Sequence, residues 1–250
     1  MILDEVQQTQ ETGYCFPYHH IPDYKKGFTQ CYNFPWGINY AATLEFLGDR
    51  LKQETFNSLI DVGCGDGRIA KEMRTRFKNK VVEGVDYSPR SIKMARAFDE
   101  EGTYHNLNII EDSLNRRYDL ALLIEVFEHI PPDLGDRFLQ AVANLLEDNG
   151  TLILTVPHSN VPTEPKHYRH FSVQTLSRCL EPYFEIVETL PFEKIDWRKK
   201  GIDLILTNKL FILNSGKLKN ALYRYYKKHL FYVKGENSCK RIYIKAKVKR

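Results

Sequence analysis

Leu59-Ile60-Asp61-Val62-Gly63-Cys64-Gly65-Asp66-Gly67 is an apolar run that ends in three glycines spaced two apart. The apolar part predicts a buried strand. Glycine at alternate positions lets the chain turn through backbone angles that side chains exclude, and lets a ligand lie against bare main chain. Arg68-Ile69-Ala70-Lys71-Glu72-Met73 continues as a helix, whose unpaired first amides and positive dipole end face whatever fills the turn. The register of the glycines separates the nucleotide classes. A dinucleotide fingerprint would need its third glycine at Arg68, and the pattern is instead D-x-G-x-G-x-G, which disfavours a pyrophosphate clamp. A P-loop is excluded as well, because Gly216-Lys217 is followed by Leu218 and has Phe211 where the upstream glycine belongs.

Working outward, Val81-Val82-Glu83-Gly84-Val85-Asp86 reads as a second strand with a carboxylate at its end. Two adjacent hydroxyl donors suit one carboxylate, and a phosphate would be repelled by it. Ser88 caps the next helix, with Pro89 at its first position. Leu107-Asn108-Ile109-Ile110-Glu111-Asp112-Ser113 is expected to bring a third strand to the same edge. This order of motifs resembles the class I S-adenosylmethionine-dependent methyltransferases. The resemblance implies S-adenosylmethionine as cofactor. It places Asp61, Gly63, Cys64, Gly65 and Gly67 at the turn, Asp86 and Tyr87 at the ribose, Asp112 and Ser113 at the adenine, and Glu125 beside them.

Strands alternating with helical stretches over 250 residues predict an α/β fold. The expected form is Rossmann-like and doubly wound: a mostly parallel, seven-stranded sheet with helices on both faces, plus a basic C-terminal insertion. Expected strands are 57–62, 80–85, 107–111, 118–124, 150–156, 183–189 and 240–248, and expected helices 39–51, 68–77, 89–99, 134–147 and 172–181. The organisation follows as an N-terminal lid or strap with its helix (1–50), a cofactor-binding core (51–190), a basic aromatic insertion (191–238) and a last core strand (239–250). In the lid, Tyr14, Phe16, Tyr18, Tyr24, Tyr32 and Trp36 are too many aromatics for a free tail; a cover over the site, ordered partly by binding, and a strap packed on the sheet both fit them.

The start, Met1-Ile2-Leu3-Asp4-Glu5, is acidic and unlike a signal peptide, and no apolar run approaches the length of a membrane span. Five scattered cysteines without a C-x-x-C pair suggest neither a disulfide scaffold nor structural zinc. A cytoplasmic location is expected. Charge is uneven: residues 191–250 hold 17 Lys or Arg against 4 Asp or Glu, and the rest hold 19 against 28. A solvated helical cap explains that basic, aromatic stretch. So does a surface for anionic lipid headgroups, for a phosphorylated or lipid-linked acceptor, or, with less support, for nucleic acid.

The most chemically loaded segment is Glu125-Val126-Phe127-Glu128-His129 after the fourth strand, with His158, His167 and His170 downstream. Two functions fit. In one, His129, His167 or His170, with Glu128 beside them, takes the proton of an acceptor hydroxyl. In the other, Glu125, Glu128 and His129 with a later histidine hold a divalent cation, although no metal is expected. The E-x-x-E-H spelling resembles the metal site of small-RNA 3′-end 2′-O-methyltransferases, and also the quinone-biosynthesis O-methyltransferases. His167-Tyr168-Arg169-His170-Phe171-Ser172, with Pro17-Tyr18-His19-His20-Ile21-Pro22 and Trp36-Gly37, resembles bacterial methyltransferases encoded near saccharide-assembly enzymes. The expectation is an O-methyltransferase acting on a saccharide or other small hydroxyl-bearing metabolite. The alternatives are a metal-dependent RNA-terminal 2′-O-methyltransferase and a nucleoside-binding module without turnover.

Overall fold

The computed structural model of the protein describes residues 4–13, 37–207, 211 and 213–250. Most of the aromatic lid (Tyr14 to Trp36), Cys15, Cys31 and Lys209-Leu210 lie outside the described residues. The central strand β1 (Ser58–Val62) is buried along its whole length. It pairs in parallel with β2 (Val81–Asp86) on one side and β4 (Tyr118–Ile124) on the other. β5 (Leu146–Pro157) runs parallel to β4, and β7 (Cys239–Val248) runs antiparallel to β5. With β3 (Thr103–Asn106) and β6 (Phe184–Lys194) at the edges, the seven-stranded order is β3-β2-β1-β4-β5-β7-β6. The inner strands read as continuous apolar runs because helices cover both faces. The direction of strand succession reverses between β1 and β4, and this opens a crevice at their carboxyl ends where ligands bind in such sheets.

The helices form where local signals place them. α3 (Arg68–Arg76) starts directly from Gly67. α4 (Pro89–Phe98) is capped by Ser88, whose hydroxyl accepts from the Ser91 amide. α6 (Val173–Leu180) has a reciprocal cap between Ser172 and Thr175. α5 (Gly135–Asn144) buries Phe138, Leu139 and Val142 in a core shared with Leu152, Leu154, Leu176 and Ile244. Truncating one such leucine to alanine costs about 2–5 kcal/mol.

Several expected boundaries move. The third strand is not at 107–111: Asp86, the last residue of β2, already pairs with Asn106, so no partner backbone remains beyond it. Residues 108–112 turn instead, the Glu111 and Asp112 amides donating to the Asn108 carbonyl, while Leu107, Ile109 and Ile110 pack on the core from that turn. α5 stops at Asn144 rather than 147, because Leu146 already pairs with Tyr118 in the sheet. β5 and β6 are correspondingly longer than expected. α1 (Glu5–Gly13) was not anticipated, and α2 (Gly37–Leu51) starts two residues early. Between β6 and β7 lie α7 (Trp197–Thr207), α8 (Gly216–Tyr226) and a π-helical turn at Lys227–Phe231.

The described residues divide into two compact units. Residues 4–13, 55–190 and 241–250 form the first, and 37–54 with the described part of 191–240 form the second. The segment between the last strands therefore groups with α2. In the second unit Phe46 stacks on Phe192 and meets the edge of Phe231, and Glu45 accepts from Tyr223 and pairs with Lys227. Among the described residues no helix is long and apolar enough to cross a membrane, and Cys64, Cys179 and Cys239 are free thiols.

Candidate functional site

The glycine turn leaves β1 with Gly63, Gly65 and Gly67 at φ of 71°, 54° and 77°. At two of these a side chain is doubly excluded. A Cβ on Gly63 would lie 2.6 Å from a methyl of Val126, and one on Gly67 2.8 Å from the Tyr104 ring. Asp86 holds the turn: one carboxylate oxygen accepts from the Gly65 amide at 2.9 Å and the other from the Ser88 amide at 2.8 Å. Burial nevertheless raises its pKa, against those hydrogen bonds. Asp61 is buried, and its Oδ2 has no partner among the described residues. Burial, followed by the charges of Asp86 and Asp66, pushes its pKa up to about 8.

Acidic groups crowded around one turn disfavour phosphate, and a cationic, hydroxyl-bearing nucleoside would favour their ionised forms. The unmet oxygen of Asp61 and the remaining lone pairs of Asp86 are what such a ligand would engage, so these residues fit S-adenosylmethionine. Cys64 is buried within the turn and its thiol pKa is raised by burial and by the same carboxylates, so it is inert. Tyr87 lies beside Asp86 with its phenol raised to about 12 by burial and by the charges of Asp86 and Glu11. α1 lies near this end: the Arg90 guanidinium donates to the Glu11 carbonyl at 3.1 Å, and the Tyr168 hydroxyl donates to Asp4. Asp112 and Ser113 are exposed in the turn after β3, not at a strand end.

The other half of the site begins at Glu125, which has φ of 55°, a rare backbone state for a side-chain-bearing residue. It is already engaged. Thr155 Oγ1 donates to one of its oxygens at 2.9 Å, and Arg241 pairs with the other at 2.9 Å. The chain then enters a 3₁₀ turn, Phe127–His129. One ligand atom from each of Glu128, His129 and His167 lies within 4.8 Å of the others. Of the expected set Glu125 is not in this cluster, and His167 is the later histidine in it.

The tautomers follow from the partners. His129 Nδ1 lies 2.7 Å from the Lys166 carbonyl, which only accepts, so Nδ1 carries the proton and Nε2 is a bare lone pair. His170 Nδ1 likewise donates to the Val161 carbonyl at 2.9 Å; its Nε2 therefore accepts from His167 Nδ1 at 2.8 Å and leaves His167 Nε2 bare. Both nitrogens of His170 are used internally, so it orients His167 rather than facing a ligand. His158 holds its loop, buried with Nδ1 accepting from the Asn160 amide at 2.9 Å.

Glu128 is fully buried and neither carboxylate oxygen has a partner among the described residues. Burial and the Glu125 charge raise its pKa well above the ordinary carboxylate range. Burial, then neighbouring cationic groups, lowers His129 and His167 to about 3. Neutral imidazoles with so little proton affinity are poor bases and good hydrogen-bond acceptors. Beside their bare nitrogens the Glu128 carboxyl, its proton retained by burial, has no partner among the described residues. Sequence reasoning missed the Arg241 and Lys166 contacts, since no spacing rule links residues 116 and 37 positions apart.

A family model described as a methyltransferase domain matches residues 39–194. A malonyl-[acyl-carrier protein] O-methyltransferase of Acetivibrio thermocellus is 30% identical over 125 residues, covering 49% of this chain and 42% of that protein. A ubiquinone biosynthesis O-methyltransferase of Alkalilimnicola ehrlichii is 27% identical over 160 residues, covering 59% of this chain and 60% of that one. The match thus spans less than two thirds of either relative. Among solved structures, the N-methyltransferase NodS of Bradyrhizobium japonicum, in complex with S-adenosyl-L-homocysteine, superposes with a TM-score of 0.63 at 12% identity, covering 99% of this chain and 100% of that one. Coclaurine N-methyltransferase gives 0.57 at 14% identity, covering 88% and 77%. At those identities the likeness is one of fold. The chain belongs to the methyltransferase-domain family and has the fold of the class I S-adenosylmethionine-dependent methyltransferases.

Proposed function

We propose that the protein transfers a methyl group from S-adenosylmethionine to a hydroxyl of a small polyhydroxylated acceptor, such as a saccharide. The observation that carries this reading is the convergence of the buried, unpartnered Glu128 carboxyl with the bare nitrogens of His129 and His167. Hydroxyl groups, which both donate and accept, satisfy bare imidazole nitrogens and a carboxyl group together, whereas an anion does not. The two relatives found by sequence are named as O-methyltransferases, which supports oxygen as the methylated atom.

When bound, S-adenosylmethionine supplies a sulfonium-activated methyl group, so the chain's task is alignment and exclusion of water. Asp61, Asp86 and the glycine turn would hold the cofactor. Glu128, once it has given up its own proton, would be a base of raised affinity: it would take the acceptor's proton as the O–H bond breaks and the methyl passes to oxygen with loss of its bond to sulfur, while His129 and His167 accept hydrogen bonds from neighbouring hydroxyls. α1 would lie beside the bound nucleoside, a reading supported by the Asp4–Tyr168 and Glu11–Arg90 contacts.

The test is transfer of labelled methyl from S-adenosylmethionine to a panel of free, nucleotide-linked and lipid-linked sugars beside matched amines. Alkali-stable label on sugar oxygen supports the reading; label on amines alone refutes it. A second reading rests on the same cluster, because two bare imidazole nitrogens and an unpartnered carboxylate are also a ligand set for a divalent cation. Under that reading, activity is lost in EDTA and restored by manganese or magnesium, and an RNA 3′ end joins the acceptors to be tried.

A further inference from the structure

α7 and α8 of the second unit have their inward sides filled. On α7, Ile202 and Leu206 are buried, and Lys199 is buried against Asp203. On α8, Tyr223 and Tyr226 are buried. Their outward sides carry apolar groups that the fold leaves in water. Trp197 is 79% and Leu204 72% exposed, one helical heptad apart, with exposed Lys200 and Gly201 between them on the same stripe. Leu218 and Tyr225 repeat that spacing on α8, flanked by exposed Lys217, Arg224 and Lys228. The helices meet where the Arg198 guanidinium donates to the Tyr225 hydroxyl at 3.2 Å and the Lys199 ammonium lies 5.9 Å from the Tyr226 ring centre. Tyr225 of the second stripe is thus tied to the residue next to Trp197.

The charge around them has one sign. Between Asp203 and Glu236 the sequence holds seven Lys or Arg and no Asp or Glu. Among the described residues Lys200, Lys217, Arg224 and Lys228 have no carboxylate partner, whereas Lys227, half-turned inward, pairs with Glu45. Exposed Trp and Leu at helical spacing, interleaved with unpaired lysines, match the layered chemistry of a bilayer surface. Indole and leucine enter the headgroup–acyl boundary, and lysines reach anionic headgroups along their own alkyl stems.

We infer that the outward face of α7 and α8 is a docking surface for an anionic lipid bilayer. Nucleic acid is the poorer match, since single-stranded binders present flat aromatic rings for stacking and Leu204 and Leu218 offer none. The inference stands independently of the cofactor and the acceptor, and its test reads binding rather than turnover.

The test uses the full chain with Trp36→Phe, which leaves Trp197 as the single indole. The protein is sedimented with vesicles of phosphatidylcholine alone and of phosphatidylcholine mixed with phosphatidylglycerol, at low and high salt. Binding to the mixed vesicles, weakened by salt and accompanied by a blue shift of Trp197 emission, is expected. Trp197→Ser with Leu204→Ser, measured in the native Trp36 background, should lower the partition coefficient about tenfold or more. Lys217→Glu with Lys228→Glu should act similarly and abolish the salt dependence, and circular dichroism checks that both variants remain folded. Absence of binding to the mixed vesicles overturns the inference, as does binding that survives both folded variants. Salt-sensitive binding to a single-stranded RNA oligonucleotide without vesicle binding would assign the face to nucleic acid instead.

Discussion

The two sides of the site are built on opposite principles. Around the glycine turn, backbone amides engage both oxygens of Asp86, and one oxygen of Asp61 stays unmet. Around Glu128 the chain supplies no partner to either carboxyl oxygen, and two bare imidazole nitrogens stand beside it. The first arrangement is mostly finished by the chain itself. The second is completed only by what binds. A cofactor common to many enzymes calls for the former, and an acceptor particular to one enzyme for the latter.

Breaking the acceptor side should cost the most turnover. Glu128→Gln keeps the shape and removes the proton acceptor, so kcat should fall about 10²–10⁴-fold with cofactor affinity unchanged; a variant of near-native kcat would remove Glu128 from the chemistry. On the cofactor side, Gly67→Ala forces a Cβ into the Tyr104 ring at a left-handed position. Strain and overpacking together should destabilise by about 2–5 kcal/mol in chemical unfolding. Asp86→Ala orphans the Gly65 and Ser88 amides, and should weaken cofactor binding by about 1–3 kcal/mol, read by calorimetry.

The smallest expected effect concerns acid. His129 titrates near 3 in the fold against an ordinary value of 6.5, so between those values the unfolded chain binds the extra proton. Stability should therefore drop as pH falls from about 6.5 towards 3. His129→Gln should flatten the slope of the unfolding midpoint over that window, and an unchanged slope would mean that the imidazole is not held neutral by burial.

The same contrast explains what could be read in the sequence. Strand, glycine turn and helix occupy consecutive residues, and Asp86 lies one helix later, so local rules place them. The third strand was misplaced because Leu107, Ile109 and Ile110 are apolar for packing, while the ladder on β2 had already ended at Asn106. On the acceptor side the residue types were visible and their partnership was not. His129 and Lys166 are 37 positions apart, and Glu125 and Arg241 116. Nothing in the spelling shows that His170 spends one nitrogen on Val161 and the other on His167, or that Arg241 engages Glu125.

The most direct measurement is calorimetric titration of S-adenosylhomocysteine, in EDTA and again with manganese, into the wild-type protein and the Asp86→Ala and Glu128→Gln variants. The account predicts binding to the wild type in EDTA, weakening in Asp86→Ala, and native affinity in Glu128→Gln. Absence of binding to the wild type, or affinity lost through Glu128 and retained without Asp86, would contradict it.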